Sequence, residues 1–423
     1  MRSVLAARMA PWPQALAFQR RPLSTLLECE RAGGPAFPLT MLVGGRAWVV
    51  ATPELAHEVL HAQPGLYLAG RANRRILPVL PADTVLTIDG DEHRARRRLL
   101  APLFHGDSLE TMAPIVRDIV AAEIARWPVG APFAVLPRTR FLALCIAARL
   151  LLGVEGQALV GDLERHLARA LHPYTMLAGV DRLRGLGPAS PQAAARRCRA
   201  RFAAGVAAVR SVRAEAPRDG PPDALDVLCA ATGEGLDDMR VADELFALLL
   251  AAHETTATAL AWALDLLARD PATADALAGE GGSENRPRLD AVISEVLRLR
   301  PPLVDIVREL AEPTRLGHHA LAAGSLVLIP PPLVHRHGHR DPDAFAADRF
   351  LQSRPDPKTW FPFGGGDRRC LGASLALLEL REVLTCIVGH FELLPAGRHP
   401  EDARLHCTAL VPRRGTRLIL QPR

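Results

Sequence analysis

From Leu245 to Ala252 the chain is apolar on every face of a helix, inside a longer helical pattern that runs from about Asp238 to Asp270. A helix apolar all round belongs in a core. Roughly thirty residues at about 1.5 Å each span about 45 Å, so the pattern predicts one helix crossing the whole molecule. His253, Glu254 and Thr255 interrupt the apolar run, which argues against a membrane span, and Pro271 closes the helix. Helical spacing also predicts helices over Pro53 to Gln63, Glu92 to Phe104, Phe141 to Gly153, Gln192 to Ala214 and Ala373 to Phe391. Ala47 to Ala51 reads as a short strand. After Pro302, short apolar runs such as Ser325 to Ile329 alternate with Gly and Pro, which predicts small strands, and Arg417 to Leu420 reads as a closing strand. Arg218 to Asp223 is the clearest surface loop. The expected class is mainly α with a small β portion, in one unit with no repeat and no dividing linker.

Composition narrows the picture. Against 46 acidic residues stand 51 basic ones, a net charge of +5, and the arginines are scattered, so nothing points to nucleic acid. A hydrophobic content of 49% with 23% charged excludes a disordered chain. The seven cysteines are odd in number, irregularly spaced and without a Cys-x-x-Cys, which argues against a zinc ribbon or a disulfide framework. Met1 to Phe18 is broken by Pro11 and Pro13 and fits neither a signal peptide nor a membrane span. The expectation is a soluble, cytoplasmic, monomeric globular protein.

The segment richest in chemistry is Phe363-Gly364-Gly365-Gly366-Asp367-Arg368-Arg369-Cys370-Leu371-Gly372. Its glycines allow a tight loop that approaches a flat ligand without Cβ clashes. Cys370 precedes a helix, where backbone N–H groups and the positive helix end favour thiolate over thiol. A lone cysteine is most often a small core residue. The spacing Phe-x-x-Gly-x-Arg-x-Cys-x-Gly turns the reading the other way. It resembles the haem-binding loop of the cytochrome P450 family, with Phe363, Gly366, Arg368, Cys370 and Gly372 all in place.

Three other places carry the same resemblance. Glu295 and Arg298, spaced i,i+3 before Pro301-Pro302, match the family's Glu-x-x-Arg, and Arg349 occupies the position of the arginine that joins that pair. A bare pair of this kind is usually a solvated salt bridge worth a few tenths of a kcal/mol. Ala251-Ala252-His253-Glu254-Thr255-Thr256 looks like the oxygen-activating stretch, with Ala252 where the family has glycine. His93 and Arg97, one turn apart, match a propionate-binding His-x-x-x-Arg, and Arg308 a further propionate arginine. The four motifs come in family order between residues 90 and 372, so the resemblance covers nearly the whole chain.

The resemblance implies a single domain over 1–423, with a long central helix over a buried haem b and Cys370 as the iron ligand. It implies a monooxygenase that uses O2, with Glu254 and Thr255 organising proton delivery. Only 53 residues (423 − 370) follow Cys370. No fused reductase domain is therefore expected, and electrons from NAD(P)H would arrive through a separate ferredoxin and ferredoxin reductase. By analogy the substrate pocket involves Leu248, Ala251, Ala252, Val304 and Leu410, within walls at 77–86, 171–186, 303–307 and 408–410. These are mainly aliphatic and suit a lipophilic molecule such as a terpene, a fatty acyl chain or another natural product. Two other readings are a haem-thiolate binding or sensing protein without turnover, and a haem isomerase or dehydratase that needs no electron donor. His335, His337 and His339 suggest a metal site by composition alone and are set aside, as is the pair His318-His319.

Overall fold

Asp237 starts the longest helix: its carboxylate accepts the Arg240 amide at 2.8 Å, satisfying one of the donors that a helix start leaves unpaired. The helix runs Asp238–Ala268 and stops before Pro271. These features come from a computed structural model that describes residues 11–154, 157–172, 177–179, 181–215, 222–231, 236–279 and 286–423. The loop expected at Arg218 to Asp223 lies mostly outside the described residues; its last residue, Asp223, caps a short helix, Ala224–Ala230. The long helix alone, among the described residues, is long and apolar enough to cross a membrane, but 83% of its apolar window is buried in protein. It is a core element, as the all-round apolar pattern requires.

Five helices build the site: α1 (Gly90–Leu100), α2 (Val135–Leu152), α3 (Asp238–Ala268), α4 (Arg286–Leu299) and α5 (Ala373–His390). The α2 helix ends at Gly153, whose φ of 55° is the left-handed cap that favours glycine. It packs along α3, and Thr139 Oγ1 donates to the Ala257 carbonyl at 2.9 Å across the contact. Apolar residues of α2, α3, α4 and α5 close one continuous core around Trp262.

The β portion is small. One sheet orders β1 (Ala36–Thr40), β2 (Arg46–Val50), β3 (Tyr67–Leu68), β4 (Ile306–Leu310) and β5 (Leu326–Ile329) as β1-β2-β5-β4-β3, antiparallel except for the β2/β5 pair. A hairpin of β6 (Ala403–His406) and β7 (Ala409–Pro412) lies against α3, where Trp262 Nε1 donates to the Leu410 carbonyl at 2.7 Å. The chain is mainly helical with a smaller sheet part, and the predicted elements appear with ends shifted by a few residues. The largest shift is in α2, which begins at Val135 rather than Phe141, because Ala134 leaves a short strand and turns directly into the helix.

Candidate active site around Cys370

The Cys370 loop is shaped by its glycines. Gly364 and Gly366 have φ of 70° and 61°, and a Cβ on Gly366 would stand 2.3 Å from the Leu60 carbonyl oxygen. A side chain there would push the loop off its seat. The Cys370 amide donates to the Phe363 carbonyl at 2.8 Å, which closes the loop and aims the sulfur at a cavity of about 380 Å³. Cys370 lies deep in the molecule, yet its surface is accessible, because it faces this internal space rather than bulk solvent. Here the structure corrects the sequence reading. Burial raises the thiol above its ordinary range; the Gly372 amide and Arg97 and Arg369 oppose that shift without overcoming it. The helix end alone does not make a thiolate at this depth.

Around the same cavity stand His93, Arg97, Arg308 and Arg368. The arginine-rich helix α1 divides its charges by direction. Arg94 pairs with Asp91 at the surface, and Arg96 pairs with the buried Glu244, while His93 and Arg97 face the cavity. Burial, followed by Arg368 and Arg97, lowers His93 to about 4, so the imidazole is neutral at pH 7. Arg368 is held by Asp89 at 2.6 Å. Among the described residues Arg308, 6% exposed, donates only to the Val307 carbonyl, at 2.8 Å; burial and then Arg368 lower it to about 10. Phe363 and Gly372 also line the cavity, whereas Gly366 serves through the loop's shape.

On the opposite wall, α3 presents Leu248, Ala251, Ala252, Glu254 and Thr255. Thr255 Oγ1 donates to the Ala251 carbonyl one turn back at 2.8 Å, which leaves its lone pairs toward the cavity. Thr256 lines the cavity as well, so the two threonines do not divide cleanly between cavity and core. Glu254 is not free. Arg140 of α2 grips it with two bonds of 2.9 and 2.5 Å, and His406 Nδ1 stands 3.3 Å away. Burial would raise this carboxyl, but His406 and Arg140 together hold it down at about 2. Neither partner was legible beside Glu254, since both are far away in sequence.

Two pocket residues expected from sequence are elsewhere. Val304 and Leu410 are buried in the core formed with β1, β2 and β5, and their neighbours Leu303, Asp305, Thr408 and Ala409 line the cavity instead. The cause is pairing. The Val304 amide donates to the Thr408 carbonyl at 3.0 Å and the Leu410 amide to the Pro302 carbonyl at 2.7 Å, which fixes which residues turn inward. Of the wall expected at 171–186, Leu171 lines the cavity; residues 173–176 and 180 lie outside the described ones.

Glu295, Arg298 and Arg349 come together behind the site. Arg298 donates to Glu295 at 2.7 and 2.9 Å, Arg349 adds a contact of 3.3 Å, and the Ala346 amide donates at 2.9 Å. Arg298 also donates to the Pro342 and Ala344 carbonyls, so this cluster pins the segment that leads to the Cys370 loop. His335, one of the histidines set aside, accepts the Phe361 amide at 3.0 Å within the core.

Comparison with known proteins gives a consistent result. The family described as Cytochrome P450 matches residues 11–419. A Mycobacterium tuberculosis (strain ATCC 25618 / H37Rv) protein provisionally named cytochrome P450 135B1 is 34% identical over 433 residues, covering 97% of this chain and 90% of that one. A second from the same strain, provisionally named cytochrome P450 138, is 33% identical, with coverage of 97% and 94%. Among solved structures, retinoic acid bound cyanobacterial CYP120A1 shares the fold with a TM-score of 0.84, at 24% identity and 98% coverage of both chains.

Proposed function

The chain belongs to the cytochrome P450 family and is a haem monooxygenase, an oxidoreductase; from that premise we propose that it inserts one atom of dioxygen into a lipophilic small molecule, with electrons from a separate ferredoxin and its NAD(P)H-linked reductase. The whole chain, 1–423, is read as one domain. The observation that carries the site assignment is the uneven chemistry of the cavity. A deep thiol faces mainly aliphatic walls, while Arg97 and the buried Arg308, which no ion pair neutralises among the described residues, also line the cavity. Buried cations are costly unless an anion meets them. A planar macrocycle with two carboxylates and an iron that takes a thiolate fits this donor set, and the glycine loop leaves room for its face.

In this reading Cys370 would hold the iron through its sulfur. His93, Arg97, Arg308 and Arg368 hold the propionates, while Phe363, Gly366 and Gly372 shape the loop beneath. Bound iron would favour the thiolate over the thiol that burial favours. Haem held there would supply the dioxygen chemistry. The protein's own residues supply position and protons. Thr255 Oγ1, bonded to the Ala251 carbonyl, accepts a water proton on its cavity side and fixes where that water stands. Glu254, kept ionised by Arg140 and His406, fixes a negative charge beside Thr255 that orients protons moving toward the cavity. The Ala252 methyl narrows the groove beside Thr255, and Leu248, Ala251 and Leu303 keep bulk water from the substrate.

The test is turnover under 18O2 with a surrogate ferredoxin, its reductase and NADPH, against a panel of terpenes and fatty acyl compounds. The expected product carries one labelled oxygen and appears only with the full electron chain. Product formed without reductant, as an isomerase or dehydratase would give, overturns the reading.

A further inference from the structure

The cavity contains a carboxyl that neither haem binding nor proton delivery uses. Asp305 is 8% exposed, lines the cavity, and has its Oδ1 fully buried with no hydrogen-bond partner among the described residues. Among the described residues no ion pair includes it, and burial alone pushes it up to about 7. Leaving a polar group buried and unmatched is expensive, and an apolar residue would fill the same wall more cheaply.

Its place in the cavity is fixed by the chain on either side. Leu303 bridges Ala409, and the backbone of 302–304 is bonded to 408–410. Asp305 therefore shares a wall with the β6–β7 turn, whose preceding residue His406 reaches Glu254 on α3. That is the side of Ala251 and Thr255. The Cys370 side is marked by the next residue, Ile306, whose Cδ1 lies 3.8 Å from the position of a Cβ on Gly364. The other unmatched acid lining the cavity, Glu379, sits on α5, the helix that follows Cys370, and so on the thiol side. From its own segment Leu303, Ile306, Val307 and Arg308 also line the cavity, and burial is the only influence on Asp305, so Arg308 does not match its charge.

We propose that Asp305 is the polar anchor of the substrate site, taking a hydrogen-bond donor, a protonated amine or a hydroxyl, carried on an otherwise lipophilic substrate. This rests on the monooxygenase reading above and narrows its substrate class. An ammonium group supplies both a donor and the counter-charge. A hydroxyl supplies the donor alone. A hydrocarbon leaves the carboxyl unmatched, and a second carboxylate is repelled.

The experiment is equilibrium dialysis of the purified holoenzyme at pH 7 with four probes of equal chain length: N,N-dimethyldecylamine, 1-decanol, decane and decanoate. The same measurements are made on Asp305→Asn and Asp305→Leu. The wild type is expected to hold the amine about tenfold tighter than decane, with decanol between and decanoate weakest. Asp305→Asn should lose the amine's advantage, keep decanol's and bind decanoate better; Asp305→Leu should lose both advantages. An amine advantage that survives in both variants would place the nitrogen on the iron or elsewhere and overturn the proposal. So would a wild type that holds none of the probes or ranks decane first. The reduced carbon monoxide spectrum is recorded on the same samples. A missing thiolate band beside an intact Asp305-dependent ranking would overturn the monooxygenase reading and leave the anchor standing.

Discussion

Glu295 and Arg308 are both buried charges on neighbouring stretches of chain, one before Pro301 and one after it, and the fold treats them in opposite ways. Glu295 accepts from Arg298, Arg349 and the Ala346 amide, and Arg298 spends its remaining donors on two carbonyls. Among the described residues Arg308 has only its neighbour's carbonyl. Charges matched within the chain lock a segment in place, whereas charges left unmatched around a cavity are waiting for a ligand's charge. The same contrast separates Glu254, clamped by Arg140 and His406, from Asp305, whose buried Oδ1 has no partner among the described residues.

The strongest way to break the comparison is at the matched cluster. Glu295→Ala leaves the buried Arg298, and the partly exposed Arg349 beside it, without their shared counter-charge, at about 3–5 kcal/mol. Since typical domains have about 5–15 kcal/mol in all, the variant is expected to melt far below wild type and to bind little haem. A variant that melts like wild type and incorporates haem normally would return the cluster to an ordinary surface pair.

A smaller effect is expected at Thr255. Thr255→Ala keeps the thiol, the arginines and the aliphatic walls, so it should bind haem and substrate and still consume NAD(P)H. Without the hydroxyl that positions water, product per peroxide released should fall by about 10²-fold, the lower end for a positioned proton-transfer group. Unchanged coupling would mean that this threonine serves only to cap the Ala251 carbonyl.

At the unmatched end, Arg308→Leu should do the reverse of Glu295→Ala. Removing an uncompensated buried cation should leave the haem-free protein as stable as wild type or more so. Haem affinity should fall by about tenfold to a hundredfold, the worth of a charged hydrogen bond. Loss of stability without loss of affinity would show that Arg308 is matched within the protein after all.

The smallest effect sharpens the rule, because it concerns an unmatched group that does not face the cavity. His253 is buried in α3 with neither ring nitrogen bonded among the described residues, and burial lowers it to about 4. The folded state therefore resists protonation while the unfolded chain, near 6.5, accepts a proton. Stability is full above about pH 6.5 and declines as pH falls toward about 4. His253→Leu should remove that sensitivity, worth about 1.4 kcal/mol at about pH 5.5 relative to pH 7.5 by urea unfolding, and leave haem affinity unchanged. An identical acid limb in the variant would assign the sensitivity to another group.

Much of this was legible in the sequence where the signal is local. The apolar run Leu245 to Ala252 marked the central helix, and the spacing from Phe363 to Gly372 marked the loop. Glu295 with Arg298, and His93 with Arg97, were found because i,i+3 and i,i+4 neighbours share a helix face. What escaped depends on contacts between distant segments. Arg140 and His406 meet Glu254 only because α2 and the β6–β7 hairpin pack on α3. Val304 and Leu410 were expected in the pocket, yet the bonds between 302–304 and 408–410 turn them into the core and bring Asp305 to the surface of the cavity. The thiol's raised pKa was likewise invisible, since helix-end chemistry is local and burial is not.

The central claim is that the cavity's thiol and unmatched arginines form a haem-thiolate site with Cys370 as the ligand. The direct measurement is the carbon monoxide difference spectrum of the reduced protein for wild type, Cys370→Ala and Cys386→Ala. The account predicts the red-shifted Soret band in wild type and in Cys386→Ala, and its complete loss in Cys370→Ala. A band that survives in Cys370→Ala, or disappears only in Cys386→Ala, would contradict it.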